Sequence, residues 1–146
     1  MQKINKFDKA YLKMAQEWAK LSYCKRKQVG ALIVKDRMII SDGYNGTPSG
    51  FENCCEDEDG KTKWYVLHAE ANAILKLATS TQSALGATLY LTLSPCKECS
   101  KLILQSGISR LVYINDYSDK EGIALLQNHG IEIIQASEQE LKKNTQ

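Results

Sequence analysis

The chain has 146 residues, 43% hydrophobic and 25% charged, with two prolines. That is the size and make-up of one domain with its own core, and it excludes a disordered, collagen-like or low-complexity protein. The net charge of +2 is too small to imply a nucleic-acid partner. No apolar run approaches the ~18 residues of a membrane span.

The opening segment lacks the apolar core of a signal peptide, so a cytoplasmic domain is expected. Residues 1–27 carry eight Lys or Arg and two acids. Phe7, Ala10, Tyr11, Met14, Ala15, Trp18 and Leu21 recur at helical spacing and predict a helix packed on one side. Asn5 is its N-cap, with Asp8 favourable in the first turn. The lysines read as a solvated face, with attraction of anions as the alternative. Val29–Val34 is a buried strand, Lys35-Asp36-Arg37 a turn and Met38–Ile40 a second, antiparallel strand ending at Asp42-Gly43. A long irregular stretch follows, from Gly43 to about residue 66. It is rich in turn residues, then acidic over Glu52–Asp59, with Cys54 and Cys55 adjacent. Loops of that length are usually functional or disordered.

Helical spacing returns from Leu67 to Ala78. Ala87–Leu93 is a strand, and Ser94-Pro95 opens a helix with Ser as cap, stopping at Gly107. Arg110–Ile114 is a strand. Ser118 with Glu121 reads as a capping box for a helix ending at Gly130, with His129 as a cation at its C-terminal end. Ile131–Ile134 is a last strand before a polar tail of a helical turn or two. Helices alternate with the later strands, which predicts parallel pairing. The expected fold is α/β, three-layer α/β/α, on a five-stranded mixed sheet in a single domain spanning 1–146.

Five Cys stand against two His. The odd count in a chain without an export signal argues against a disulfide framework. Cys96 and Cys99 share one helical face in a first turn, where the helix dipole and free N–H groups favour thiolates. With His68 they make a three-ligand set that leaves the fourth tetrahedral position to water, the pattern of a catalytic zinc. Zinc lowers the pKa of bound water from 15.7 to about 7, an effect that the two thiolates temper. Glu70, two residues from His68, is poorly aimed to be a fourth ligand and well placed to handle the proton of that water. Each feature alone has an ordinary alternative: a core or capping histidine, or a redox Cys-x-x-Cys.

His68-x-Glu70 with Pro95-Cys96-x-x-Cys99 matches the signature of the zinc nucleobase deaminases. Deamination sends hydroxide to an amidine-like carbon, a proton to the ring nitrogen and another to the leaving ammonia, all within reach of one cycling carboxylate. Gln28-Val29-Gly30-Ala31, Gly43-Tyr44-Asn45-Gly46 with Pro48 and Gly50, His68–Ile74, Tyr90–Cys99 and Gln105–Ile108 resemble the deoxycytidylate deaminase family over about residues 8 to 135. The Gly-Tyr-Asn-Gly stretch is absent from the tRNA adenosine and guanine deaminases. Ala71 departs from the Leu that the family often has there.

The resemblance implies conversion of dCMP to dUMP and ammonia, supplying dTMP synthesis, with one Zn2+ per chain. It implies that the Ala69 N–H holds the pyrimidine carbonyl and that the Ser94 carbonyl sits near the leaving amine. Asn45 contacts the sugar, and Tyr117 closes over the sugar-phosphate, unless it is only an exposed loop aromatic. Gly43, Tyr44 and Gly46 correspond to an effector site, activated by dCTP and inhibited by dTTP, with Mg2+ accompanying the triphosphate, in a homo-oligomer, a hexamer in many relatives. Gly43 and Gly46 otherwise serve a tight turn. Some relatives bind a second zinc at positions matching Cys24 and Cys54; here that site and idle thiols at Cys24, Cys54 and Cys55 both stay open.

Three other readings compete. Free-cytidine deaminases usually have Cys where His68 stands. A tRNA adenosine deaminase needs a basic groove, against the acidic loop at 52–59. A zinc-stabilised binding module fills its fourth ligand position, and no fourth ligand is evident.

Overall fold

The computed structural model describes residues 3–143. In chain order the elements are α1 (Lys6–Ala19), β1 (Gly30–Lys35), β2 (Met38–Tyr44), α2 (Ala69–Lys76) with a 3-10 turn over Leu77–Thr79, β3 (Thr88–Leu93), α3 (Lys97–Ser106), β4 (Arg110–Asn115), α4 (Glu121–Gln127), β5 (Glu132–Gln135) and α5 (Glu138–Lys142). The five strands form one mixed sheet in the order β2-β1-β3-β4-β5. β1 runs antiparallel to β2 and β3, while β3, β4 and β5 are parallel. The expected three-layer architecture holds. Among the described residues, no helix is long and apolar enough to cross a membrane.

Strand alternation divides the core in two. Ala31, Ile33, Leu89, Leu91, Leu111 and Tyr113 point to the face covered by α2, α3 and α4. Leu32, Val34, Tyr90, Val112, Ile114 and Ile134 point to the other face, under α1 and α5. This is the period of two that a sheet buried on both sides must show. Asp36 and Arg37 both have positive φ, 52° and 60°, and make the two-residue turn whose twist suits a hairpin.

α1 sits differently from its predicted stripe. Asp8, Lys9, Leu12, Ala15 and Ala19 are buried, whereas Met14 and Leu21 are exposed. The helix is rotated because Asp8 pairs inward with Arg110 and because Ala15 and Ala19 rest directly on Gly30 of β1; a Cβ on Gly30 would lie 2.6 Å from the Ala19 nitrogen. The Asn5 cap forms as expected, in a capping box with Asp8.

Two other helix starts shift. α3 is capped by Cys96, not Ser94: the Cys96 sulfur accepts the Cys99 N–H, and Ser94 Oγ is taken by the Tyr117 N–H at 2.7 Å. α4 has no Ser118–Glu121 capping box. Lys120 is its N-cap, and Asp119 Oδ1 accepts the Glu121 N–H at 2.9 Å, one residue closer than Ser118. α2 begins only at Ala69, leaving His68 extended as its N-cap.

Gly43 is the last but one residue of β2 rather than part of a loop. A Cβ there would stand 2.5 Å from the Ala69 carbonyl oxygen and 2.8 Å from the Ala73 nitrogen. The glycine is therefore what lets β2 lie against the backbone of α2, the helix that carries Glu70. Gly43→Ala is expected to lower stability by about 1–3 kcal/mol, because backbone must move to admit the methyl. Urea unfolding at pH 7 measures this; an unchanged midpoint would contradict the packing role.

Candidate metal and active site

Two helix starts meet at one end of the sheet. His68, outside the first turn of α2, has the backbone freedom to turn toward α3. Its Nδ1 lies 3.6 Å from Cys96 Sγ and 3.4 Å from Cys99 Sγ. Cys96 is the cap of α3 and Cys99 lies three residues on, so both thiols face the same point. These three ligand atoms all lie within 4.8 Å of one another. With zinc–nitrogen and zinc–sulfur bonds of about 2.0 and 2.3 Å, a tetrahedral ion sets N···S spacings of about 3.5 Å. The donor set and its spacing therefore fit zinc.

The electrostatics suit a cation. Hydrogen bonds from Cys99 and His68 pull the Cys96 thiol down to about 3, and its contact with Cys96 raises the His68 imidazole. Cys99 is pushed up by the same Cys96 contact and by burial. Zinc binding to such a set releases protons. Glu70, at the second position of α2, is 3% exposed, and burial pushes its carboxyl up to about 7.

His68, Ala69, Glu70 and Cys96 border a cleft of about 270 Å³. Asn45, Ser94 and Tyr117 border it too, so these expected substrate contacts share one cavity with two of the candidate metal ligands, His68 and Cys96. Ala69 is the first residue of α2, where backbone N–H groups have no intrahelical acceptor. Asn45 is already engaged with its own chain: Oδ1 accepts the Val29 N–H at 2.9 Å and Nδ2 donates to the Lys27 carbonyl at 2.8 Å. One N–H and one lone pair remain for a ligand. Gly43, Tyr44 and Gly46 do not border this cleft. The Tyr44 carbonyl accepts Asn72 Nδ2, and Gly46 pairs with Leu67 as an isolated bridge.

Among the cleft residues that sequence reasoning missed are the charged Arg26, Lys27 and Glu56. Lys27 Nζ stands 4.6 Å from the centre of the Tyr117 ring. The basic run Lys25-Arg26-Lys27, just upstream of β1, carries the signal: attraction of anions is the alternative to a solvated face, and composition alone favours the face. His129 sits at the end of α4, its Nδ1 2.8 Å from the Leu125 carbonyl, far in role from the cleft.

The remaining cysteines include one bridge, where the sequence leaves idle thiols and a second zinc site both open; a single bridge is not a disulfide framework. Cys24 and Cys55 are bonded, with Cα atoms 5.1 Å apart, and Cys54 is an exposed free thiol. An odd total does not forbid one pair once Cys96 and Cys99 are set aside. The atoms gathered around that pair belong to Cys24, Cys55 and Glu56; Cys54 is not among them.

The family described as "Cytidine and deoxycytidylate deaminase zinc-binding region" matches residues 5–115. The deoxycytidylate deaminase of Mycobacterium phage D29 is 40% identical over 121 residues, covering 73% of this chain and 93% of the relative. That of Saccharomyces cerevisiae is 38% identical over 141 residues, covering 90% of this chain but only 45% of the yeast protein, so this chain spans under half of that relative. Among solved structures, the dCMP deaminase of cyanophage S-TIM5 in complex with dCMP and dUMP is 46% identical, covers 92% of this chain and 100% of its own, and has a TM-score of 0.89. On the match over residues 5–115 and the 40% identity to the D29 enzyme, the chain belongs to the cytidine and deoxycytidylate deaminase family.

Proposed function

We propose that this chain deaminates dCMP hydrolytically to dUMP and ammonia, and that the dUMP serves dTMP synthesis. The observation that carries this reading is the meeting of His68, Cys96 and Cys99 at a cleft that His68 and Cys96 border together with the buried Glu70. The names of the D29, yeast and S-TIM5 relatives support dCMP as substrate.

His68, Cys96 and Cys99 hold the zinc, which when bound supplies the Lewis acidity that makes hydroxide available at neutral pH. Glu70 takes one proton from the attacking water and passes it to the ring nitrogen, then takes the second from the hydroxyl formed at the attacked carbon and passes it to the amine, which leaves as ammonia when the C–N bond breaks. A carboxyl held beside the attacking water is suited to both directions of transfer, acting first as base and then as acid. The Ala69 N–H and the Ser94 carbonyl orient the base at its oxygen and amine. Asn45 offers its spare N–H to the sugar. Tyr117 closes the sugar end, with Arg26 and Lys27 supplying the cations for a 5′-phosphate.

Regulation by dCTP and dTTP through Gly43, Tyr44 and Gly46, with Mg2+ accompanying the triphosphate, and assembly into hexamers rest on resemblance to the family, as does cytoplasmic residence. Gly43 already has a packing reason to be glycine.

Ammonia release from dCMP, CMP, dCTP and deoxycytidine, each with and without added dCTP or dTTP, tests the reading. dCMP is the expected best substrate, and about one zinc per chain is expected by metal analysis. Removing the metal with a chelator abolishes release, and added zinc restores it. Preference for deoxycytidine would overturn the nucleotide assignment.

A further inference from the structure

We propose that Glu56 is a positioning residue for recognition of the substrate's phosphate: its carboxylate fixes the turn that presents Arg26 and Lys27 to the cleft. The inference rests on the nucleotide reading above and assigns a task to the acidic loop.

Glu56 Oε2 accepts two backbone N–H groups from the facing turn, Lys25 at 3.0 Å and Arg26 at 3.2 Å. Two convergent backbone donors form an anion-binding concavity, and here the chain fills it with its own carboxylate. The substrate phosphate is thereby directed to the side chains of Arg26 and Lys27. Glu56 is held from behind, since it pairs with Thr62 as an isolated bridge and follows Cys55, which is bonded to Cys24. On its other side the turn is held by Asn45 through the Lys27 carbonyl. Every residue from Cys24 to Lys27 is thus tied to a fixed neighbour. Long, flexible cationic side chains select a ligand well only when their backbone is fixed, because misplacement by about 1 Å can cost 10²-fold.

Steady-state kinetics on the full chain with zinc bound tests this, comparing wild type, Glu56→Ala, Glu56→Gln and Arg26→Ala on dCMP and on deoxycytidine. Glu56→Ala should raise KM for dCMP about tenfold with little change in kcat, in the same direction as Arg26→Ala, while kcat/KM for deoxycytidine shifts less than twofold. Glu56→Gln keeps an acceptor oxygen for the same N–H groups and should recover most of the loss. Inhibition by inorganic phosphate should weaken in step with KM for dCMP.

A lower KM for dCMP in either Glu56 variant would overturn the proposal, because Glu56 would then be a competitor of the phosphate. A parallel loss on deoxycytidine would also overturn it, reducing Glu56 to a general scaffold residue. If Glu56→Ala does not fold, Glu56→Gln with the phosphate inhibition series decides alone: a small parallel weakening of dCMP and phosphate supports the proposal, and tighter phosphate overturns it. Failure of the nucleotide reading is distinguishable, since wild type would then already use deoxycytidine as well as dCMP.

Discussion

Glu70→Gln is expected to lower dCMP turnover about 10²–10⁴-fold, the range that a positioned general acid–base contributes, while zinc content stays at about one per chain. The substitution keeps the shape of the side chain and removes only its ability to carry a proton. Metal retention is expected because His68, Cys96 and Cys99 alone make the convergent set. Glu70 lies two residues into a helix that His68 only caps, so its carboxylate is beside that set and not in it. Folding should survive too. Glu70 is 3% exposed, and a neutral amide is easier to bury than a carboxylate. Ammonia release, metal analysis and a thermal melt on the same preparation make the comparison. Full turnover in the variant would remove Glu70 from proton transfer, and loss of zinc would make it a ligand.

The metal site was legible because its geometry is local. Cys96 and Cys99 share a face by helical spacing, and His68 and Glu70 are fixed by one helix start, so only the meeting of two short segments had to be inferred. The alternation of the strands was legible for the same reason. What stayed hidden depends on partners distant in sequence. Asp8 meets Arg110 across 102 positions, and that contact turns α1 away from its most obvious apolar stripe. The stripe itself was ambiguous, since small residues such as Ala10 and Ala15 fit either face. Cys24 finds Cys55 across 31 positions, through a loop whose path no local pattern specifies. The caps at Ser94 and Ser118 failed on finer grounds. Ser94 is diverted to the Tyr117 N–H, and Asp119 reaches the N–H that a capping box would have left to Ser118. Arg26 and Lys27 show the limit of composition: the same basic run looks like a solvated face until a cleft is placed beside it.

Asp8→Asn is expected to cost about 3 kcal/mol of stability, the lower end of what breaking a buried pair costs, and to lower the melting temperature by about 10 °C for a chain of this size. Asp8 is 1% exposed and sits where four donors converge. Arg110 grips both oxygens, at 2.8 Å each, the Tyr90 hydroxyl donates at 2.6 Å, and the Asn5 N–H donates at 3.1 Å. One carboxylate therefore joins the start of α1 to β3 and β4, and its neutral amide would leave the half-buried Arg110 guanidinium with only the more distant, exposed Glu132 carboxylate, at 3.7 Å, as counter-charge. The pH dependence identifies the cause. Burial alone would raise the Asp8 carboxyl, but the hydrogen bonds from Arg110, Tyr90 and Asn5 and the Arg110 charge hold it below its ordinary value. A carboxyl depressed in the folded state binds fewer protons than it does unfolded, so its contribution is complete above the unfolded value of about 3.9 and is lost as pH falls through the folded one. Urea unfolding of wild type and Asp8→Asn should therefore differ by a constant amount from pH 7 down to about 5, and the two curves should draw together below pH 4. A gap that persists undiminished at pH 3 would mean that the loss is one of packing shape, with the charge of Asp8 contributing nothing.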